Sequence, residues 1–325
     1  MFIFDFRVRP PFDPTTQSIM GDELNKYYEI CNDTPAARSV VHKDMDLFWQ
    51  ELADAGTTRF LYQGRVTDWS GIAAWGYEGD TSSFTRESNN DAVRSFITQY
   101  QDKAFGAYAV DPAEGTACLG RIESNVLNGP FIAVTMEPGL CSCPMPLDDV
   151  RCLGIYDYLE KQNIPLVLAF GELNYRSLRQ TLPVSLDNIC ELFPKLKITV
   201  IHGGWPFVHE IQWITYNRKN LYICVDFFMN HTWSGYRDYI TAANYAFQDK
   251  IIFGSAYPFW DMKKAVEVYS TVLKPEVLPK VMGINALYAL NLEYLLPEDA
   301  PSRMWDLSTE APKNARDILF ENHII

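Results

Sequence analysis

The chain has 325 residues, 47% of them hydrophobic, and its 28 Lys and Arg against 41 Asp and Glu give a formal net charge of −13. That length and apolar content suit one large domain with a sizeable core. The acidic balance, with no basic cluster, argues against nucleic acid or an anionic membrane surface as partner and fits a small, cationic or neutral, substrate better.

The predicted elements begin with Met1 to Arg7 (MFIFDFR), an alternating strand whose tip carries Asp5 and Arg7 two residues apart, both expected to point inward. A long excursion over residues 8–43 precedes a helix over Asp44 to Ala55, closed by Gly56. Thr58 to Tyr62 is a short strand running into Gly64-Arg65. The aromatic loop after it, with Trp69, Trp75 and Tyr77, is long enough to be a lid before a helix over Asp91 to Tyr100. Strand Phe105 to Val110 is tipped by Asp111-Pro112 and followed by a helix over Ala113 to Leu127. Phe131 to Met136 ends at Glu137-Pro138-Gly139 and leads to a helix over Asp148 to Gln162, and Ile164 to Phe170 ends at Gly171-Glu172 and leads to a helix around Ser185 to Phe193.

The stretch Lys197 to Phe207 (KITVIHGGWPF) is the most informative. A β-branched and aliphatic run enters a histidine, two glycines and Trp-Pro, the pattern of a buried parallel strand handing over to a helix. His202 therefore stands at a strand tip, Gly203 and Gly204 permit a sharp turn, and Pro206 is expected in the first turn of a helix to Arg218. Leu221 to Val225 then ends at Asp226, with a helix over Tyr236 to Phe247. Lys250 to Phe253 ends at Gly254-Ser255-Ala256-Tyr257-Pro258, with helices over Asp261 to Leu273 and Pro275 to Leu290.

Eight short apolar strands, each but the first soon followed by a helical stretch, specify an α/β fold: a single (β/α)8 TIM barrel over residues 1–295. A doubly wound open sheet would carry a glycine-rich loop after its first strand, where this chain has Arg7-Val8-Arg9-Pro10-Pro11. Residues 296–325 read as a C-terminal helical appendage, with a helix over Ala315 to Asn322 packing on the barrel or on a second subunit, which leaves room for a homodimer or higher homo-oligomer. No run of eighteen apolar residues is present and MFIFDFRVRPP lacks the features of a signal peptide, so a cytoplasmic protein is expected. Seven cysteines, odd in number and partly inside predicted elements, argue against a disulfide framework.

In a barrel the strand tips converge on one mouth, so the titratable tips become candidate site residues. His202 is the candidate general acid or base, with Asp5 or Asp226 orienting it, and Tyr257 a donor to a developing oxyanion. Arg7 and Arg65 are candidate clamps for a substrate carboxylate, and Asp111, Glu137 and Trp205 complete the substrate-contacting set. For Arg65 and Asp111 an ion pair closing the barrel end is an equally good reading.

The order of these features resembles the amidohydrolase-related barrels, in the branch that includes aminocarboxymuconate semialdehyde decarboxylase and the resorcylate decarboxylases. The resemblance rests on Asp5-Phe-Arg7, HGGWP after strand six, Phe253-Gly-Ser-Ala-Tyr-Pro258 at strand eight and Gly283-Ile-Asn-Ala286 in the closing helix. Metal-dependent members carry a His-x-His or Glu-x-His pair at strand one, a histidine at the ends of strands five and six and an aspartate after Gly-Ser at strand eight. This chain has Asp5 and Arg7, then Ala169, His202 and Ala256 at these places, and only His202 is unchanged. The resemblance thus implies an enzyme acting on a small carboxylate or a lactone- or ester-like substrate, by hydrolysis or non-oxidative decarboxylation, without the usual metal. No cofactor is expected. One alternative is a remodelled zinc or manganese site of Asp5, Glu137, His202 and Asp226. Another is a catalytically inactive barrel acting as a binding or assembly protein.

Overall fold

The strands are runs of two to six mostly apolar residues bounded by turn signals, too short for helices and buried on both faces, as parallel strands between helices must be. In a computed structural model of the chain, in which residues 1–14, 38–65, 85–171 and 177–303 are described, they are β1 (Phe4–Asp5), β2 (Arg59–Gln63), β3 (Ala104–Ala109), β4 (Ala133–Met136), β5 (Leu166–Ala169), β6 (Ile198–Ile201), β7 (Leu221–Cys224) and β8 (Ile251–Ile252). They pair in parallel in chain order from β1 to β8. The seam between the first and last closes through Phe6 N donating to Phe253 O at 3.1 Å and Arg9 N to Tyr257 O at 3.0 Å, with a one-residue bridge between Val8 and Tyr257. Sequential order plus closure makes this a (β/α)8 barrel, not an open doubly wound sheet.

Two apolar layers follow. Phe4, Phe6, Leu61, Val167, Ile201 and Tyr222 belong to the inner cluster, which Ala286, Leu287 and Leu290 join. Alanines 107, 133 and 169 in that cluster offset the large aromatic side chains. The alternate strand residues pack outward against the helices, with Val134, Leu166, Ile198, Val200 and Ile223 in the larger cluster.

The main helices are α1 (Met45–Asp54), α2 (Arg86–Gln99), α3 (Val150–Lys161), α4 (Pro183–Leu192), α5 (Val208–Asn217), α6 (Tyr236–Asn244) and α7 (Met262–Val272). Asp44 caps α1, its Oδ1 accepting from Asp46 N and Leu47 N at 2.9 and 3.0 Å. Four expectations are corrected. The helix expected from Asp91 starts at Arg86, because Thr85 and Ser88 form a capping box ahead of the apolar periodicity. The single helix expected over Ala113 to Leu127 is broken into 3-10, α and π turns, with Gly115 at φ 56°. Pro206 stands outside α5, which starts at Val208, and the Trp205–Pro206 bond is cis. The last helix consists of a π turn (Lys280–Ile284) and a short α segment (Asn285–Ala289).

The aromatic loop with Trp69, Trp75 and Tyr77, the helix expected at Ala315 to Asn322, and much of the 8–43 excursion lie outside the described residues. Among the described residues, no helix is long and apolar enough to cross a membrane, and Cys118, Cys141, Cys143, Cys152, Cys190 and Cys224 are free thiols.

Candidate active site

The tips of β6, β7 and β8 each carry a non-glycine residue in the left-handed region: His202 at φ 62°, Asp226 at 47° and Ala256 at 56°. Such residues cost on the order of 1–3 kcal/mol each and persist only where the surroundings hold them. Here two tyrosines help. Tyr239 on α6 donates to Gly203 O at 3.0 Å, and Tyr269 on α7 donates to Asp226 O at 3.2 Å. Gly203 and Gly204, at φ 64° and 69°, continue the turn that the two glycines imply.

The result is a buried three-residue contact. Arg7 Nη1 donates to Asp226 Oδ2 at 3.0 Å and lies 2.9 and 2.8 Å from Nδ1 and Nε2 of His202. Asp226 Oδ2 also accepts from His202 N at 3.1 Å and lies 3.2 Å from His202 Nδ1. A guanidinium can only donate, so one ring nitrogen must accept from it. With the proton placed on Nδ1, 3.2 Å from Asp226 Oδ2, Nε2 is the nitrogen left to accept. Phe227 and Phe228 wall the imidazole, with ring centroids 5.6 and 6.2 Å away. Trp205 stacks on Phe228 at 5.3 Å and donates from Nε1 to Ser234 O.

Asp5 takes a different part. Its Oδ1 accepts from Arg7 N at 3.0 Å and Ser255 N at 2.9 Å, which ties the first strand's tip to the last. Burial pushes its carboxyl up to about 6, against the lowering effect of the Ser255 and Arg7 hydrogen bonds. Asp5 Oδ2 and Asp226 Oδ1 are buried with no hydrogen-bond partner.

The other candidates divide. The Tyr257 hydroxyl donates to Glu51 Oε2 at 2.7 Å and contacts Ser39, so it is held toward α1 and not toward His202. Asp111 caps the turn after β3, accepting from Ala113 N at 2.8 Å and Ser142 N at 3.2 Å, with Arg86 at 3.7 Å. Arg65 and Glu137 are buried and both act electrostatically on Arg9. Arg9 and Gln63 were not among the sequence candidates. With Arg7, Val8, Ala256 and Tyr257 they line a small cavity at the mouth. The signal for Arg9 was present: the two-residue step from Asp5 to Arg7, taken once more, reaches it.

Of the residues that the sequence comparison set against metal donors, Arg7 holds the contact just described, Ala169 ends β5, and Ala256 lines the cavity. Among the described residues, no group of three or more His, Cys, Asp or Glu could hold a metal ion.

A family model described as Amidohydrolase matches residues 53–292. No curated protein matches the chain. Among solved structures, an uncharacterized TIM-barrel protein from Bordetella bronchiseptica is similar with a TM-score of 0.78 and 28% identity, over 90% of this chain and 99% of that one. The 5-carboxyvanillate decarboxylase of Sphingomonas paucimobilis gives 0.59 and 15%, over 89% and 99% of the two chains. A dihydroxybenzoic acid decarboxylase from Polaromonas sp. JS666, with bound manganese and the inhibitor 2-nitroresorcinol, gives 0.57 and 14%, over 90% and 97%. With the two decarboxylases the likeness is one of fold.

Proposed function

The chain belongs to the amidohydrolase family, and from that premise we propose that it is an enzyme acting on a small carboxylate or a lactone- or ester-like substrate. The reaction is hydrolysis or non-oxidative decarboxylation at Arg7, His202 and Asp226, with the Arg7 guanidinium in the place of a catalytic metal. The observation that carries this reading is the position of Arg7 Nη1, within 3.0 Å of both His202 and Asp226. A divalent ion bound to those two side chains would lie about 3 Å from a permanent positive charge. At an effective dielectric of about 20 the repulsion is on the order of 10 kcal/mol. The donor set therefore does not fit a metal while Arg7 holds its place, and no step is drawn through one.

The chemistry follows from the hydrogen bonds. A substrate carboxylate or developing oxyanion accepts from the guanidinium, drawing it from His202 and leaving Nε2 open to take or give a proton. Asp226 keeps the ring oriented through Nδ1 and stabilises the imidazolium when it forms. Asp5, with its carboxyl near 6 and one oxygen unpartnered, is a second proton carrier, tied to the site through the Arg7 backbone N–H.

The test uses protein dialysed against a chelator and assayed on a panel of aromatic and aliphatic carboxylates and lactones, following carbon dioxide release or ring opening. Activity is expected to survive chelation. His202→Asn should lower kcat by about 100-fold or more, and Arg7→Lys should raise KM about tenfold, because an ammonium cannot replace a planar fork. Activity that disappears on chelation and returns with zinc or manganese would overturn the proposal.

A further inference from the structure

Beside the contact of Arg7 with His202 and Asp226, the structure holds a second set of buried donors whose bonds are not made. Arg9 Nε and Gln63 Nε2 are sealed from solvent and have no hydrogen-bond partner, on side chains 7% and 4% exposed. An unsatisfied buried donor costs about 1–3 kcal/mol, more when it is charged. These two belong to side chains lining the same cavity, and Arg7 lines it with them.

The charges around Arg9 do not remove the deficit. Burial, then Arg7, bring its guanidinium down to about 10, with Arg65 adding to the effect, while Asp13 and Glu137 pull the other way through space. The Asp13 carboxylate is already engaged, Oδ2 accepting from the Tyr62 hydroxyl at 2.7 Å and from Asn89 Nδ2 at 3.2 Å. What these donors lack is an acceptor, and the side chains that carry them line the cavity. Its volume is about 170 Å3, counting the part open to solvent.

We propose that Arg9 and Gln63 form a second anion subsite, which takes a carboxylate of the substrate other than the one engaged by Arg7 at His202, so that the substrate is a dicarboxylate. The proposal rests on the reading that the substrate bears a carboxylate. A carboxylate is the acceptor that matches, because it only accepts hydrogen bonds and its charge offsets the crowding of Arg7, Arg9 and Arg65.

The experiment is calorimetric titration of the intact protein, at one ionic strength, with benzoate and with isophthalate, which carries two carboxylates on one rigid ring. Isophthalate is expected to bind at least tenfold tighter than benzoate. In Arg9→Met, which keeps an apolar stem and loses every donor, that advantage should vanish while benzoate affinity changes by less than about twofold. Gln63→Leu should weaken isophthalate alone by about threefold or more, and it serves as the reading if Arg9→Met fails to fold. Benzoate binding reports on the catalytic-site reading by itself. Should benzoate fail to bind while isophthalate binds through Arg9, that reading falls and the subsite stands. Equal affinity of the parent for the two probes, equal losses of both in Arg9→Met, or no binding of either would overturn the subsite.

Discussion

Asp226 serves several groups with one oxygen: Oδ2 accepts from Arg7 Nη1 and from His202 N, and faces His202 Nδ1. Removing its charge strands a guanidinium that is 5% exposed. Breaking a buried pair from one side typically costs about 3–5 kcal/mol, so Asp226→Asn should lower the urea midpoint sharply. A loss below about 1 kcal/mol would mean that Arg7 is neutralised elsewhere. Asp5 makes a separate prediction through pH. The unfolded carboxyl ionises near 3.8 and the folded one near 6, so between about pH 4 and 6 the folded state binds more protons, and this contribution to stability falls as pH rises. The whole effect is about 3 kcal/mol, present below pH 4 and lost above about 6. Subtracting the urea stability of Asp5→Asn from that of the parent at each pH should reveal this slope, since asparagine keeps the acceptor for Arg7 N and Ser255 N. A flat difference curve would show Asp5 already ionised across that range.

At the scale of the element, the turn after β6 carries the site and is tightly constrained. A Cβ on Gly203 would stand 2.6 Å from the Tyr239 hydroxyl, at a φ of +64° that side chains rarely adopt. Gly203→Ala should therefore cost at least about 2 kcal/mol in urea unfolding, combining left-handed strain with displacement of a buried ring. It should also lower activity by loosening His202. An alanine tolerated with unchanged melting would show that the turn can relax, and that its strain does not position the histidine. The corrections to the helices belong at this scale too. The polar start of α2 (Arg86-Glu-Ser-Asn-Asn) hides its first turn from a search for apolar periodicity. A helix over Ala113 to Leu127 fails because Gly115 takes φ 56°, so the backbone leaves the helical region where composition alone allows it to continue.

For the whole molecule, the sequence by itself determined the eight strand–helix units, the closed parallel barrel, and the gathering of Arg7, His202 and Asp226 at one end. Strand and helix periodicity are local properties, and a closed parallel sheet has only one end where its tips can meet. The inner faces were legible for the same reason, since apolar residues recur at the spacing that buries them. Only the tertiary structure decided which tips touch. Arg7 reaches His202 across 195 residues of chain and Asp226 across 219, whereas the Tyr257 hydroxyl turns to Glu51 and Asp111 caps its own turn. Such choices depend on the direction in which each side chain leaves its tip. At β6, β7 and β8 that direction is set by left-handed backbone at His202, Asp226 and Ala256, a conformation that these residue types do not announce. The meeting of Arg9 and Gln63 in one cavity was hidden for the same reason, because shared space between neighbouring strand tips exists only once the barrel has closed.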